Sequence, residues 1–155
     1  MRSIWESEAT IAHAECLVRS LRHWTGEDLV AGVEDPRELS RIVFESSFVL
    51  VSHGIEVDPV LNYGNQSALE LWDVSWEEFT KMPSRLTAEA PNREERAGLL
   101  ERVTRDGFIS NYSGIRIGRT GQRFRIENAT VWNLLSADGR ACGQAAMFHH
   151  WTFVS

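Results

Sequence analysis

The polar side chains able to do chemistry in this chain sit inside apolar, alternating stretches rather than at catalytic spacings. Along residues 123–135, Phe124, Ile126, Trp132 and Leu134 recur at even positions, which places the even side chains on the inward face of a strand. Asn128 and Thr130 share that parity. A buried amide or hydroxyl left unpaired costs on the order of 1–3 kcal/mol. Each therefore requires a ligand, a core partner, or a strand bulge that turns it outward. By the same alternation Tyr112, Gly114 and Arg116 line the preceding strand, and Cys142, Gln144, Ala146 and Phe148 the following one. An inward Arg116 needs a carboxylate, from the protein or from an acidic ligand, because an unpaired buried guanidinium is prohibitive. The opposite parity, with Ile115 and Ile117 inward and Arg116 in water, is equally defensible from the residues. The candidate ligand-binding set is thus Tyr112, Arg116, Ile126 and Asn128, with Thr130, Trp132, Gln144 and Phe148.

Hydrolytic or redox chemistry has less to stand on. Asp58, Glu127 and His53 are the nearest acid–base candidates, and no two lie at a spacing that requires a shared site. No nucleophile elbow, phosphate loop or metal motif is present in the sequence, so an enzyme is not expected. His53 closes a strand and could face a pocket, while His149 and His150 would put one ring on each face; none has a second ligand at metal spacing. Cys16 and Cys142 lie far apart along the chain, without CxxC spacing, and read as reduced, buried thiols. Arg85, in a loop-like stretch after Pro83, is expected to pair with a carboxylate and hold a helical lid.

These residues must be positioned by one domain. The chain has 155 residues, 43% hydrophobic and 25% charged, with 16 basic against 22 acidic side chains and a net charge of −6. At this length a fold buries roughly 70% of the surface of its unfolded chain, enough for a core without disulfides or metal. The acidic balance argues against a nucleic-acid surface, and the arginines are scattered among carboxylates, with Lys81 the single lysine. No stretch approaches the ~20 apolar residues of a membrane span, and the start MRSIWESEAT lacks the pattern of a signal peptide. The expectation is a cytoplasmic protein.

The periodicity predicts an amphipathic helix over Ser3 to Trp24, carried by Ile11, Ala14, Val18 and Leu21. Asp35-Pro36-Arg37-Glu38 announces a second helix to about Ser46. Phe48 to His53 and Val60 to Gly64 read as short strands. Asn65 and Ser75 cap two short helices, and Asn92-Arg93-Glu94-Glu95 is the expected capping box of a longer one ending at Asp106-Gly107. Three long strands follow: Phe108 to Gly118, Arg123 to Leu135 and Ala141 to Val154. This order is α+β: five antiparallel strands, helices over one face, and a pocket between them. Residues 1–34 form a helical extension and 35–155 the domain proper.

Leu61-Asn62-Tyr63-Gly64-Asn65-Gln66-Ser67-Ala68 resembles the second strand and first helix of PAS domains. Asp58-Pro59-Val60-Leu61, Ser84-Arg85-Leu86-Thr87, Gly114-Ile115-Arg116-Ile117 and Val131-Trp132-Asn133-Leu134 are similar to bacterial stand-alone MEKHLA-domain proteins, over residues 35 to 154. The resemblance implies a PAS-like fold and a sensory or regulatory domain, here expected to stand alone. In plants a similar domain closes class three homeodomain–leucine zipper factors, where it is thought to sense a signal and control dimerisation. Flavin photosensors of this fold need a cysteine in the helical middle, whereas Pro83 to Glu95 has none; their sheet offers amides where this chain has Arg116, Ile126 and Phe148. Haem-binding members commonly use a histidine from the long helix, and Asn92 to Asp106 lacks one. Flavin and haem are thus disfavoured, and the cofactor, if any, is unknown. The implied partners are a small organic, carboxylate-bearing ligand and a second copy of the chain. The N-terminal apolar stripe could serve that dimer or cover the sheet's outer face.

Overall fold

The structure, a computed structural model, describes residues 3–154. After a 3-10 turn at Ile4–Glu6, helix α1 runs over Glu8–Thr25, capped by the Ser7 hydroxyl and ended by Gly26 in the left-handed region. Helix α2 (Pro36–Glu45) begins as its sequence predicts, with the Asp35 carboxylate accepting from the Glu38 amide and proline in the first turn. Strands β1 (Val49–His53) and β2 (Leu61–Gly64) follow, then the short helices α3 (Gln66–Trp72) and α4 (Trp76–Phe79) and a 3-10 turn at Ser84–Thr87. Helix α5 spans Ala90–Asp106. It starts two residues before Asn92, at an N-cap of Glu89, because Pro91 is tolerated in a first turn where amides lack partners. The Asn92 capping box is therefore not formed.

Strands β3 (Phe108–Ile117), β4 (Arg123–Leu135), β5 (Ala141–Phe148) and β6 (His150–Val154) complete an antiparallel sheet of order β2-β1-β5-β4-β3. The last of the three expected long strands is broken at His149, and its second half, β6, pairs with Arg123–Glu127 of β4 while β5 pairs with Thr130–Leu135. The break at His149 lies opposite an irregularity in β4 at Asn128, whose φ of 51° is left-handed. A bulge of this kind adds a residue on one strand and reverses the faces beyond it.

That bulge corrects the strand parity inferred from alternation. Before it, Phe124 and Ile126 face α5; after it, Ala129 and Val131 take over that face. Trp132 and Leu134 point to the opposite side, into a second core under α1 and α2. A register irregularity at Gly143 does the same for β5, turning Cys142 toward α1 while Gln144, Ala146 and Phe148 face α5.

The sheet is thus covered twice. One core, between sheet and α3–α5, holds Leu61, Trp72, Phe79, Leu99, Val103, Phe124 and Phe148. The other joins Leu17, Val18 and Leu21 of α1 and Val43 of α2 to Leu50, Tyr63, Trp132, Leu134 and Ala145. The α1 stripe offered for dimerisation therefore lies on the sheet's outer face of its own chain, and the boundary after residue 34 divides segments that share one core. Cys16 and Cys142 meet there as free thiols, 3.9 Å apart between Sγ atoms and half-buried rather than buried.

Candidate functional site

Alternation along β1 assigns its side chains to two environments. Val49, Val51 and His53 face α5, while Leu50 and Ser52 face α1. On α5, Arg96 stands three and four residues before Leu99 and Leu100, so a charged side chain shares the apolar face turned to the sheet. Between these surfaces lies a cavity of about 60 Å³. Its walls are apolar, including Val51, Trp72, Phe79, Leu99 and Val131; besides Ser52, whose hydroxyl is bonded to His13 of α1, its polar residues are His53, Thr87, Arg96, Tyr112, Arg116 and Gln144. An outer groove of Ser84, Arg85, Arg93, Glu101 and Thr104 shares His53, Arg96, Leu100 and Gln144 with it. Arg85 is tied to Asp58 at 3.2 Å and Arg93 to the Ala88 carbonyl.

Arg116 is 7% exposed and points inward, which settles its parity. Its Nη2 donates to the Tyr112 hydroxyl at 3.0 Å and its Nη1 to the Ile115 carbonyl, and the Tyr112 hydroxyl donates in turn to Glu95 at 2.7 Å. The guanidinium lies 5.5 Å from the Tyr112 ring centre. Gly114 makes room for this pair, since a Cβ there would stand 2.2 Å from the Tyr112 oxygen. Arg96 donates to the Ser84 hydroxyl at 2.9 Å. Among the described residues neither arginine has a carboxylate within ion-pair distance. Burial, and then the nearby Arg116 charge, pull the Arg96 guanidinium down to about 10.

His53 is also 7% exposed. Its Nδ1 donates to the Gly54 carbonyl at 2.9 Å, so the neutral ring presents Nε2 as an acceptor, and that atom has no partner among the described residues. Burial first, with Arg96 adding to it, lowers its pKa and keeps it neutral. The Gln144 amide nitrogen, with two hydrogens, lies within hydrogen-bond distance of the Leu100 carbonyl, the Thr104 hydroxyl and Asn133 Oδ1, tying α5 to the sheet.

Of the residues expected to bind a ligand, Tyr112, Arg116, Ile126, Gln144 and Phe148 line the cavity. Asn128, Thr130 and Trp132 do not, because the bulge at Asn128 exposes the first and turns the other two toward the α1 side. Of the acid–base candidates only His53 is in the cavity lining; Asp58 is paired at the surface and Glu127 stands opposite His150 in the β4–β6 ladder. Arg96 was missed by sequence reasoning. Its spacing to Leu99, Leu100 and Val103 was the available signal.

The profile of the MEKHLA domain matches residues 11–153. The chain belongs to the MEKHLA domain family. The match begins inside α1, the helix that completes the second core. The homeobox-leucine zipper protein ATHB-14 of Arabidopsis thaliana is 25% identical to this MEKHLA domain over 96 residues, which are 62% of this chain and 11% of that protein. Among solved structures, the PAS domain of a Colwellia psychrerythraea protein is similar with a TM-score of 0.63 at 11% identity, covering 76% of this chain and 95% of that one. A light-oxygen-voltage domain studied with a flavin analogue gives 0.59 at 13% identity, covering 76% and 85%. These likenesses establish a PAS-like fold.

A flavin does not fit this MEKHLA domain. One benzene ring occupies an engineered cavity of roughly 150 Å³, and the cavity here, walled by the rings of Trp72, Phe79 and Phe148, is about 60 Å³, too small for fused flavin rings. Both cysteines lie on the other side of the sheet, under α1.

Proposed function

We propose that this MEKHLA domain is a sensory or regulatory module that binds a small organic ligand between β-sheet and α5, rather than an enzyme, and passes the binding event to α1. The observation that carries this reading is the cavity itself: an apolar pocket into which a few buried polar groups converge, one of them, His53 Nε2, without a partner among the described residues. Adjacent residues of β1 supply the coupling. His53 touches the cavity, while the Ser52 hydroxyl on the opposite face accepts from His13 Nε2 of α1 at 2.8 Å and donates to Asn62 at 2.5 Å. A ligand that shifts the end of β1 thereby alters the seat of α1, and it can do so only by the difference in its affinity for the two seats. Dimerisation through the α1 stripe competes with that seat, so a ligand that loosens α1 favours a homodimer.

The test is an absorption spectrum and a denaturing mass spectrum of the small molecules released from freshly purified protein. A bound organic metabolite in stoichiometric amount is expected. A clean protein that no member of a metabolite panel stabilises would instead favour a ligand-free protein-interaction module, a second reading to which the modest volume of the cavity lends weight.

A further inference from the structure

Two arginines and one neutral histidine converge on one small cavity, and their chemistry selects what can enter. Arg116 is buried and uses its guanidinium on a tyrosine hydroxyl and a backbone carbonyl, both neutral acceptors. Arg96 reaches the same cavity from α5 with a serine hydroxyl as its side-chain partner. Glu95 is exposed and joins this path, among the described residues, through the Tyr112 hydroxyl; Glu56 stands near His53, and Glu101 is the acid of the outer groove. A guanidinium has five N–H donors in a planar fork, so most of this donor capacity remains for a carboxylate. Two cations sharing a site, Arg116 buried and Arg96 half-buried, repel each other, and an anion between them removes that repulsion. Burial and Arg116 both weaken the hold of Arg96 on its proton, as this geometry requires.

His53 adds the second half. Its Nδ1 hydrogen is committed to the Gly54 carbonyl, so Nε2 can only accept. It is buried, faces this cavity, and lacks a partner among the described residues. A buried acceptor of this kind calls for a hydroxyl on the ligand. The cavity of about 60 Å³ opens past His53 and Arg96 into the outer groove, so a short ligand seats its polar groups against these residues and leaves its remaining atoms in the groove.

We infer that the cavity is a site for a short-chain hydroxycarboxylate, its carboxylate held by Arg96 and Arg116 and its hydroxyl donating to His53 Nε2. This rests on the cavity being a ligand site at all, and the experiment separates the two. Lactate, propionate and lactamide are titrated into the full chain by calorimetry and thermal melting. They differ by one feature each: propionate lacks the hydroxyl and lactamide the charge. Lactate is expected to bind on the order of tenfold more tightly than propionate, and lactamide to give no response. R96Q should abolish lactate binding. The wild-type series stands by itself if that variant does not fold. Lactamide matching lactate, or a neutral compound released from the purified protein, overturns the anion assignment while leaving the sensor reading intact. Propionate matching lactate overturns the role of His53. No response to any of the three, from a protein that also releases nothing and is stabilised by no metabolite, overturns both.

Discussion

Asn65 shows how much one side chain holds in this fold. It is fully buried; its Oδ1 accepts from the amides of Leu50 and Ala68, and its Nδ2 donates to the carbonyls of Val43 and Phe48. One amide thus joins the end of α2, the start of β1 and the first turn of α3. Asn65→Ala strands several backbone groups at once and should cost about 3 kcal/mol, read as a lower midpoint in urea unfolding. Asn65→Asp is expected to be nearly as damaging, because the carboxylate would face the two carbonyls that the amide hydrogens now satisfy. The N-cap role of Asn65 was legible from its place before Ala68-Leu69; its bonds to α2 and β1 were not, since they span 15 to 22 residues of sequence. At the same scale, Arg116 could not be assigned a face from alternation alone, whereas Arg85 was correctly expected to find a carboxylate, here Asp58.

At the scale of elements, the contact between α1 and β1 is sensitive to pH. His13 on α1 is half-buried against the sheet, its ring 5.6 Å from that of Tyr63, and this desolvation brings its pKa down to about 4 from an ordinary 6.5. The folded state thus takes up its proton at lower pH than the unfolded state. The stability this group contributes is intact above about pH 6.5 and is lost as pH falls toward 4, by roughly 1.4 kcal/mol per pH unit. Urea unfolding from pH 7 to pH 4.5 should show this slope in the native protein and a shallower one in His13→Gln, which keeps a donor for Ser52; equal slopes would refute the assignment. The join between β5 and β1 is fixed by a glycine. A Cβ on Gly143 would lie 2.2 Å from the His53 carbonyl. Gly143→Ala must push the two strands apart beside the cavity, with an expected loss of about 2 kcal/mol in thermal or urea unfolding.

For the whole molecule, the decisive feature is a sheet with helices on both faces. Leu17, Val18 and Leu21 are at most 6% exposed, and burying side chains of this type contributes about 2 kcal/mol each. Their sum is comparable to the entire stability of a typical domain. A fragment of residues 35–155 would bare Trp132, Leu134 and Leu50, and we expect it to aggregate or to unfold without cooperativity. A sharp melting transition from that fragment would instead show that the extension is dispensable. Among the described residues no helix is long and apolar enough to cross a membrane.

The elements themselves were determined by local sequence. Asp35-Pro36, Asn65 and the Ser75 capping box start helices where short-range hydrogen bonds demand them, and turns at Gly121 and Gly139 bound β4 at Arg123–Leu135 as alternation predicts. The α+β class follows from that order, and the family resemblance from the motifs at Asp58–Asn65, Ser84–Glu89, Gly114–Ile117 and Val131–Leu134. Which side chains enter the cavity was decided only by the tertiary structure. Asn128 adopts a left-handed backbone where β4 passes from β6 to β5, and one inserted residue sends Trp132 and Thr130 to the α1 side. Alternation is a rule about consecutive residues and holds no information about where a neighbouring strand breaks. Arg96 and His53 meet for the same reason: they are 43 positions apart in sequence, and only the packing of α5 across the sheet brings a guanidinium to the same cavity as an imidazole nitrogen that has no partner among the described residues.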